Sequence, residues 1–370
     1  MKRQISIDAT RGLVMLLMLV DHAREFFYYH AQVSDPVNIA TTPADLFFTR
    51  LSAHLCAPVF VALTGLAAYL YQSKNGKSAT SEFLLKRGLF LIVLELTVIS
   101  FGWSFSFTPS MMFLQVIWAI GVSMICLSGI LWLPRKALIA LGLTIVIGHN
   151  ILDPISFDSG IAHTLWAIIH DRGIIDIFGM KVRTSYPVLP WIGVITLGFG
   201  IGPWFSTNQE SKNKNLINTG LIFLITFLLL RMINIYGEPL PWKIENNFVQ
   251  TVMSFFNLTK YPPSLDFLLL TLGTGMLLLR GLEKETRFTR FLAVFGSTPL
   301  FYYMVHIYLL NVIHTSLKVF FGPNVGNHFS VPNVMSLWLI AAALVPVLWY
   351  LCRWYGKIKK GSSNPIFKYI

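Results

Sequence analysis

Apolar runs long enough to cross a lipid bilayer recur along this chain, each closed by charged or turn-forming residues. A hydrocarbon core about 30 Å thick takes roughly 20 helical residues. Ten stretches approach that length, near residues 10–29, 47–71, 83–103, 111–132, 137–152, 188–205, 216–235, 265–282, 298–320 and 334–351. The fifth is the shortest, and 160–169 reads as a helix lying in the interface. Composition agrees: 54% of the 370 residues are hydrophobic and 12% charged, against about 25% charged in an ordinary soluble domain. The expected fold is all-α, a polytopic membrane protein of about ten transmembrane helices forming a single domain over 1–370. The apolar run after the basic N-terminus leads to Asp21 and His22, not to a small-residue cleavage site. It reads as a retained first helix rather than a signal peptide.

Charge supplies the orientation, because Lys and Arg accumulate on the cytoplasmic side of short loops. With the N-terminus inside, about 20 of the 29 basic residues fall in cytoplasmic segments, from Lys2, Arg3 and Arg11 to Lys357, Lys359, Lys360 and Lys368. An even number of spans then keeps the basic tail on the same side, so both termini are expected in the cytoplasm. The net charge of +12 is spread over several loops, which fits an anionic lipid leaflet and not nucleic acid. Cys56, Cys126 and Cys352 are widely spaced within or beside apolar stretches, giving neither a disulfide framework nor a zinc spacing. They are expected to be packing residues, and no metal is expected.

Ionisable side chains are costly inside a bilayer, so each one within a span is a functional candidate by default. The first span carries several. From Arg11 to His22 the helix turns back to within about 20° of the same face and rises roughly 16 Å. Arg11 thus sits near the inner surface and His22 near mid-membrane, with Met15, Met18, Glu25 and Tyr29 on the same stripe and Asp21 one position aside. Further along, Gly296-Ser297-Thr298-Pro299 reads as the end of a short interfacial helix and the start of a new one. His306 then lies about 12 to 14 Å into the membrane, at the depth of His22. Two neutral histidines at one level can share a proton or a substrate, or serve only as interhelical hydrogen bonds. His30 and His54 fall in the outer half, where a histidine bonded to water or backbone is the plainer reading. Glu95, Arg231 and Asp266 are further buried polar candidates, with Glu95 and Arg231 a conceivable ion pair. Tyr303 and Trp191 lie in aromatic segments suited to lining a pocket or anchoring at the lipid interface. The chain has no phosphate-binding glycine loop, dinucleotide fingerprint or His-Glu-x-x-His.

Five blocks, ISIDATRGLVMLLMLVDH (5–22), DLFFTRLSAHLCAPVFVALTG (45–65), YPVLPWIG (186–193), KYPPSLDFLLLTLG (260–273) and PLFYYMVHIYL (299–309), occur in order over nearly the whole chain. Together they resemble bacterial members of the heparan-alpha-glucosaminide N-acetyltransferase catalytic-domain family, within a wider transmembrane acyltransferase superfamily. In that superfamily an Arg followed by ten residues and a His marks the first helix, a pattern Arg11 and His22 match. The resemblance implies acetyl transfer from cytoplasmic acetyl-CoA to an amine or hydroxyl acceptor, a sugar or glycan, on the far side of the membrane. In the lysosomal relatives the catalytic histidine precedes an Ala-Asp-Leu segment. By position that is His30, before Ala44-Asp45-Leu46, whereas those relatives have Asn where this chain has His22. The resemblance therefore leaves His22 and His30 both open as the base. The lysosomal relatives also carry an additional luminal domain, and a bacterial cytoplasmic (inner) membrane is the expected home.

Histidine suits the base because a neutral imidazole accepts a proton near pH 7. On this reading His22, His30 and His306 are catalytic candidates and Arg11 holds the CoA phosphates. Asp21, Asp45, His54, Trp191 and Tyr303 contact the acceptor. Expected partners are the bilayer, acetyl-CoA and a glycan or other small acceptor, with a homodimer compatible. The rival class is a proton-coupled secondary transporter, since midplane ionisable groups also build proton relays. The repeated halves common in transporters are absent from this sequence.

Overall fold

The computed structural model describes residues 4–177, 179–362, 364 and 367. Of the basic residues used for orientation, Lys2, Arg3 and Lys368 lie outside the described residues. Fourteen α-helices and three short strands follow one another among the described residues. The helices are α1 (Ile5–Phe27), α2 (Ala44–Ala53), α3 (Cys56–Leu94), α4 (Ser100–Ser104), α5 (Val116–Ile130), α6 (Arg135–Gly148) and α7 (Gly160–Ile169). They continue with α8 (Leu189–Gly200), α9 (Gln209–Ile233), α10 (Phe248–Phe256), α11 (Leu265–Gly281), α12 (Arg287–Gly296), α13 (Pro299–Phe321) and α14 (Val334–Gly361). The strands are β1 (Met112–Leu114), β2 (Ile174–Ile177) and β3 (Met180–Thr184).

Among the described residues, five segments are long and apolar enough to cross a membrane: Arg135–Leu152, Leu189–Ser206, Gln209–Ile233, Pro299–Phe321 and Val334–Gly361. The other expected spans coincide with helices that are more polar, shorter or interrupted. α1 carries Asp8, Arg11, Asp21, Arg24 and Glu25 but packs against α2, α3, α11, α12, α13 and α14, so most of its surface meets protein. α3 holds two expected spans in one run, divided at Gly76, whose φ of 83° is open to glycine at little cost. It passes through a π-helical turn, Glu95–Ile99, into α4. α7 is the helix expected along the interface, with only Ala167 fully buried.

Small residues bring the central helices into backbone contact, the device membrane bundles use for close packing. A Cβ on Gly12 would stand 2.0 Å from the Leu292 carbonyl oxygen, and one on Gly296 would stand 1.9 Å from that of Asp8, so α1 and α12 meet backbone to backbone. Gly65 and Gly198 do the same for α3 and α8. Local signals set the helix starts: Asn208, Ser264 and Asn333 accept hydrogen bonds from the first-turn amides of α9, α11 and α14. Pro299 occupies the first turn of α13, where a missing N–H costs nothing.

The strands form one sheet in the order β1-β3-β2, with β1 parallel and β2 antiparallel to β3, and Met112 opposite Val182. Span and loop are expected here from sequence, because strands this short leave no periodic pattern. Leu114 O accepts from the amides of Ser185 and Tyr186, at 3.1 and 3.2 Å, which fixes those two residues beside the C-terminal end of α1. The conjectured Glu95–Arg231 ion pair does not form. Glu95 Oε2 accepts from the Trp118 amide at 3.1 Å, filling the unpaired first turn of α5. Arg231 donates to the carbonyls of Leu240, Ser254, Phe255 and Asn257. All three cysteines are free; Cys56 Sγ donates to Val14 O at 3.1 Å.

Candidate active site

α1 and α13 bring His22 and His306 together: His22 Nδ1 lies 2.7 Å from His306 Nε2, with the rings within 10° of parallel. The second nitrogen of His306, Nδ1, is 2.8 Å from the Tyr302 carbonyl oxygen. A carbonyl oxygen only accepts, so Nδ1 carries the proton, and the neutral ring presents Nε2 as an acceptor. His22 Nδ1–H must then be the donor in the shared bond, which leaves the His22 Nε2 lone pair unprotonated. His306 is fully buried and His22 half-buried. A base oriented by a second, buried group is the logic of catalytic triads. Tyr302 Oη donates to Met15 O at 3.0 Å and locks the same stretch of α13 to α1.

His22 opens on a cavity of about 360 Å³, bounded also by Glu25, Glu95, Trp103, Tyr186, Lys260 and Tyr303. That lies within the range of small-molecule sites. Trp103 and Tyr303 stand edge-on to the His22 ring, with centroids 5.1 and 5.9 Å away. Towards the C-terminal end of α1 the cavity adjoins a second space of about 620 Å³, with Asp21, Glu25, Arg172, Lys260 and Tyr261 in both linings. Charge dominates there. Asp21 Oδ1 accepts from Arg24 Nε at 3.0 Å, and its Oδ2 is 3.9 Å from Lys260 Nζ. Arg50 pairs with Asp35 at 2.5 Å, and Arg172 lies 4.9 Å over the Tyr261 ring. Burial works against the charge of Lys260, but Tyr261 and Asp21 outweigh it and hold its pKa above the ordinary value of 10.5.

Towards the N-terminal end of α1 a groove of about 330 Å³ reaches the same place from the other side. Tyr303 and Val116 line both the groove and the His22 cavity. Its walls are apolar, among them Phe60, Leu84, Leu91, Ile120 and Met124, while Arg11, Arg87 and Lys359 are its basic members. Arg11 also donates to the Gly296 carbonyl at 3.1 Å, at the C-terminal end of α12.

Of the residues singled out by sequence, the structure gathers His22, His306, Tyr303 and Asp21 around the cavity and puts Arg11 at the groove. It leaves four elsewhere. His30 is exposed, in the turn after α1, with Nδ1 2.9 Å from Ser330 Oγ. Asp45 is exposed and caps the Leu46 amide at 2.8 Å. His54 is buried against Phe267 in a small void that borders the charged space through Asp35 and Arg50, without lining the cavity around His22. Trp191 is fully buried in the core, 5.5 Å from the Tyr186 ring. Trp103, Arg172 and Lys260 were missed as site residues. Of these, Lys260 gave a signal, since it opens a quoted block, whereas Arg172 lies in an outer segment with several other charged residues and gave none.

The family model described as heparan-alpha-glucosaminide N-acetyltransferase, catalytic, matches residues 3–237, just under two-thirds of the chain. No curated protein matches the chain.

Proposed function

Since the chain belongs to the heparan-alpha-glucosaminide N-acetyltransferase catalytic family, we propose that it moves an acetyl group from acetyl-CoA to an amine or hydroxyl of a small acceptor, probed first with amino sugars. The single observation carrying this reading is the His22–His306 pair on a cavity that shares Tyr303 with an apolar groove on one side and Lys260 with a charged space on the other. The donor enters along the apolar groove. Arg11, Arg87 and Lys359 suit the phosphates of CoA, and the apolar wall suits its pantetheine arm. The acceptor comes from the charged space beside Asp21, Lys260 and Arg172.

In the reaction the acceptor N or O attacks the thioester carbonyl while its proton passes to His22 Nε2. The C–S bond then breaks, and the protonated His22 returns that proton to the departing thiolate. His306 holds the His22 ring in the required tautomer and shares the charge that forms on it. The Tyr303 hydroxyl and the Trp103 N–H are the donors at hand for the developing oxyanion. In this arrangement His22 is the base and His30 has no chemical part.

We further read the chain as one domain of ten spans in a bacterial cytoplasmic membrane, with both termini inside. The Lys and Arg bias supports that orientation, and it puts the groove with Arg11 on the cytoplasmic side, where acetyl-CoA is found.

The test is acetyl-CoA turnover by the full chain in proteoliposomes, with His22→Ala and His30→Ala compared. Loss of about 10²- to 10⁴-fold is expected for His22→Ala, and little change for His30→Ala. Equal activity in both variants and the parent would overturn the mechanism. Solute uptake without CoA release would replace it with transport.

A further inference from the structure

A second cluster of ligating side chains lies at the other end of α6, outside the cavity around His22. His149 begins the turn that closes α6, Asp153 follows it, and His170 ends α7. His170 Nε2 is 2.9 Å from Asp153 Oδ1, and the two imidazole centroids are 5.8 Å apart. One ligand atom from each of the three residues lies within 4.8 Å of the other two.

His149 is only 2% exposed, yet neither of its ring nitrogens has a hydrogen-bond partner, and Nδ1 of the equally buried His170 has none either. Buried polar atoms left without a partner are uncommon and costly. The surroundings fix the remaining ligand. Asn150 Nδ2 donates to Asp153 Oδ2 at 2.9 Å, while Asn150 Oδ1 accepts from the Leu265 amide at 2.9 Å, tying the carboxylate to α11. Trp166 packs 5.1 Å from the His170 ring and anchors its own N–H on the Ile155 carbonyl at 2.7 Å.

We propose that His149, Asp153 and His170 bind a divalent transition-metal ion of the zinc class. Two imidazoles and one carboxylate are a donor set for zinc, with a fourth position left to water. Magnesium and calcium call for oxygen ligands and fit it poorly. The ion acts as a clasp. It joins the end of α6 to the end of α7, two residues before Arg172, which lines both spaces on the acceptor side. The inference does not depend on acetyl transfer, because metal binding is read without activity.

The experiment takes the full chain in nanodiscs, strips it with a chelator and resupplies Zn²⁺ or Co²⁺. Zinc should be retained at one ion per chain after gel filtration, and the melting temperature should rise with zinc concentration. The Co²⁺ form should develop the intense visible absorption of a four-coordinate site. His149→Gln should abolish retention and the cobalt band. Asn150→Ala, which keeps all three ligands, should weaken zinc binding by about 10- to 100-fold. An unaltered chain that holds no zinc and gives no cobalt band would overturn the proposal, whatever the variants do. So would zinc retention and a cobalt band undiminished in His149→Gln.

Discussion

The two approaches to His22 are built from different chemistry. The groove on the Arg11 side is walled by apolar side chains with a few basic groups. The space on the Asp21 side is lined by acids and bases already paired with one another, Asp21 with Arg24 and Lys260, and Asp35 with Arg50. One helix, α1, supplies Arg11 to the first and Asp21 to the second, and His22 where they meet. On the proposed function, this difference suits the two substrates. A long apolar arm ending in phosphates needs dispersion contacts and a basic end, whereas a polar acceptor needs hydrogen-bonding groups already held in place.

The largest effect that would sharpen this contrast is expected at the boundary itself. His306→Phe keeps an aromatic ring but removes the acceptor that fixes the His22 tautomer. It should lower kcat by roughly 10²-fold or more while leaving both KM values near their original levels. Steady-state kinetics with each substrate varied in turn would check it. A variant with unchanged kcat and raised KM would make His306 a binding residue and the contrast purely steric.

Next comes the donor side. Arg87→Ala should raise the KM for acetyl-CoA by about 10-fold, in line with losing a charged hydrogen bond of about 1.5 kcal/mol. The acceptor KM should stay put. Lys260→Met should do the reverse, raising acceptor KM several-fold with acetyl-CoA KM unchanged. Lys260 also sets a pH expectation. Its pKa is raised above 10.5, so its favourable interaction is fully present below that value and lost only as pH climbs through the raised one. Acceptor KM should therefore show no lysine titration between pH 6 and pH 9, and a rise in that window would mean that burial outweighs Tyr261 and Asp21 and pulls Lys260 below its ordinary value. If both variants moved the same KM, the two approaches would not be separate.

Much of this arrangement was legible in the chain. Helical rotation alone put Arg11 and His22 on one face, and the proline-marked start of α13 put His306 at the same depth, where the two rings touch. Apolar length pointed to a mostly helical chain, because lipid leaves few ways to satisfy a backbone. What could not be read depends on contacts between distant segments. Trp103 reaches His22 through a π-helical turn whose extra residue shifts every later side chain around the helix. Arg172 stands just before β2, which is held antiparallel to β3, and β3 pairs in parallel with β1 some seventy residues away; strands of three to five residues are too short to leave a periodic signature. Arg231 was read as an ion-pair partner because charge in a span suggests one, but carbonyls exposed around α10 satisfied it instead.

The smallest expected effect is at His30, and it bears most directly on which histidine works. By position in the chain His30 is the better match to the catalytic histidine of the lysosomal relatives, yet its ring is exposed and bonded to Ser330. Ser330 Oγ is 3.1 Å from Phe27 O and also receives the Tyr29 amide, so His30 belongs to a knot that ties the end of α1 to the segment before α14. Removing one such bond at an exposed site should cost about 0.5–1.5 kcal/mol of stability. His30→Ala should thus lower the melting temperature slightly and leave kcat/KM for both substrates within about twofold, as expected for a change that touches no reacting group. A loss of kcat as deep as that of His22→Ala, at unchanged melting temperature, would move the chemistry to the end of α1 and make the His22–His306 pair a structural hydrogen bond between helices.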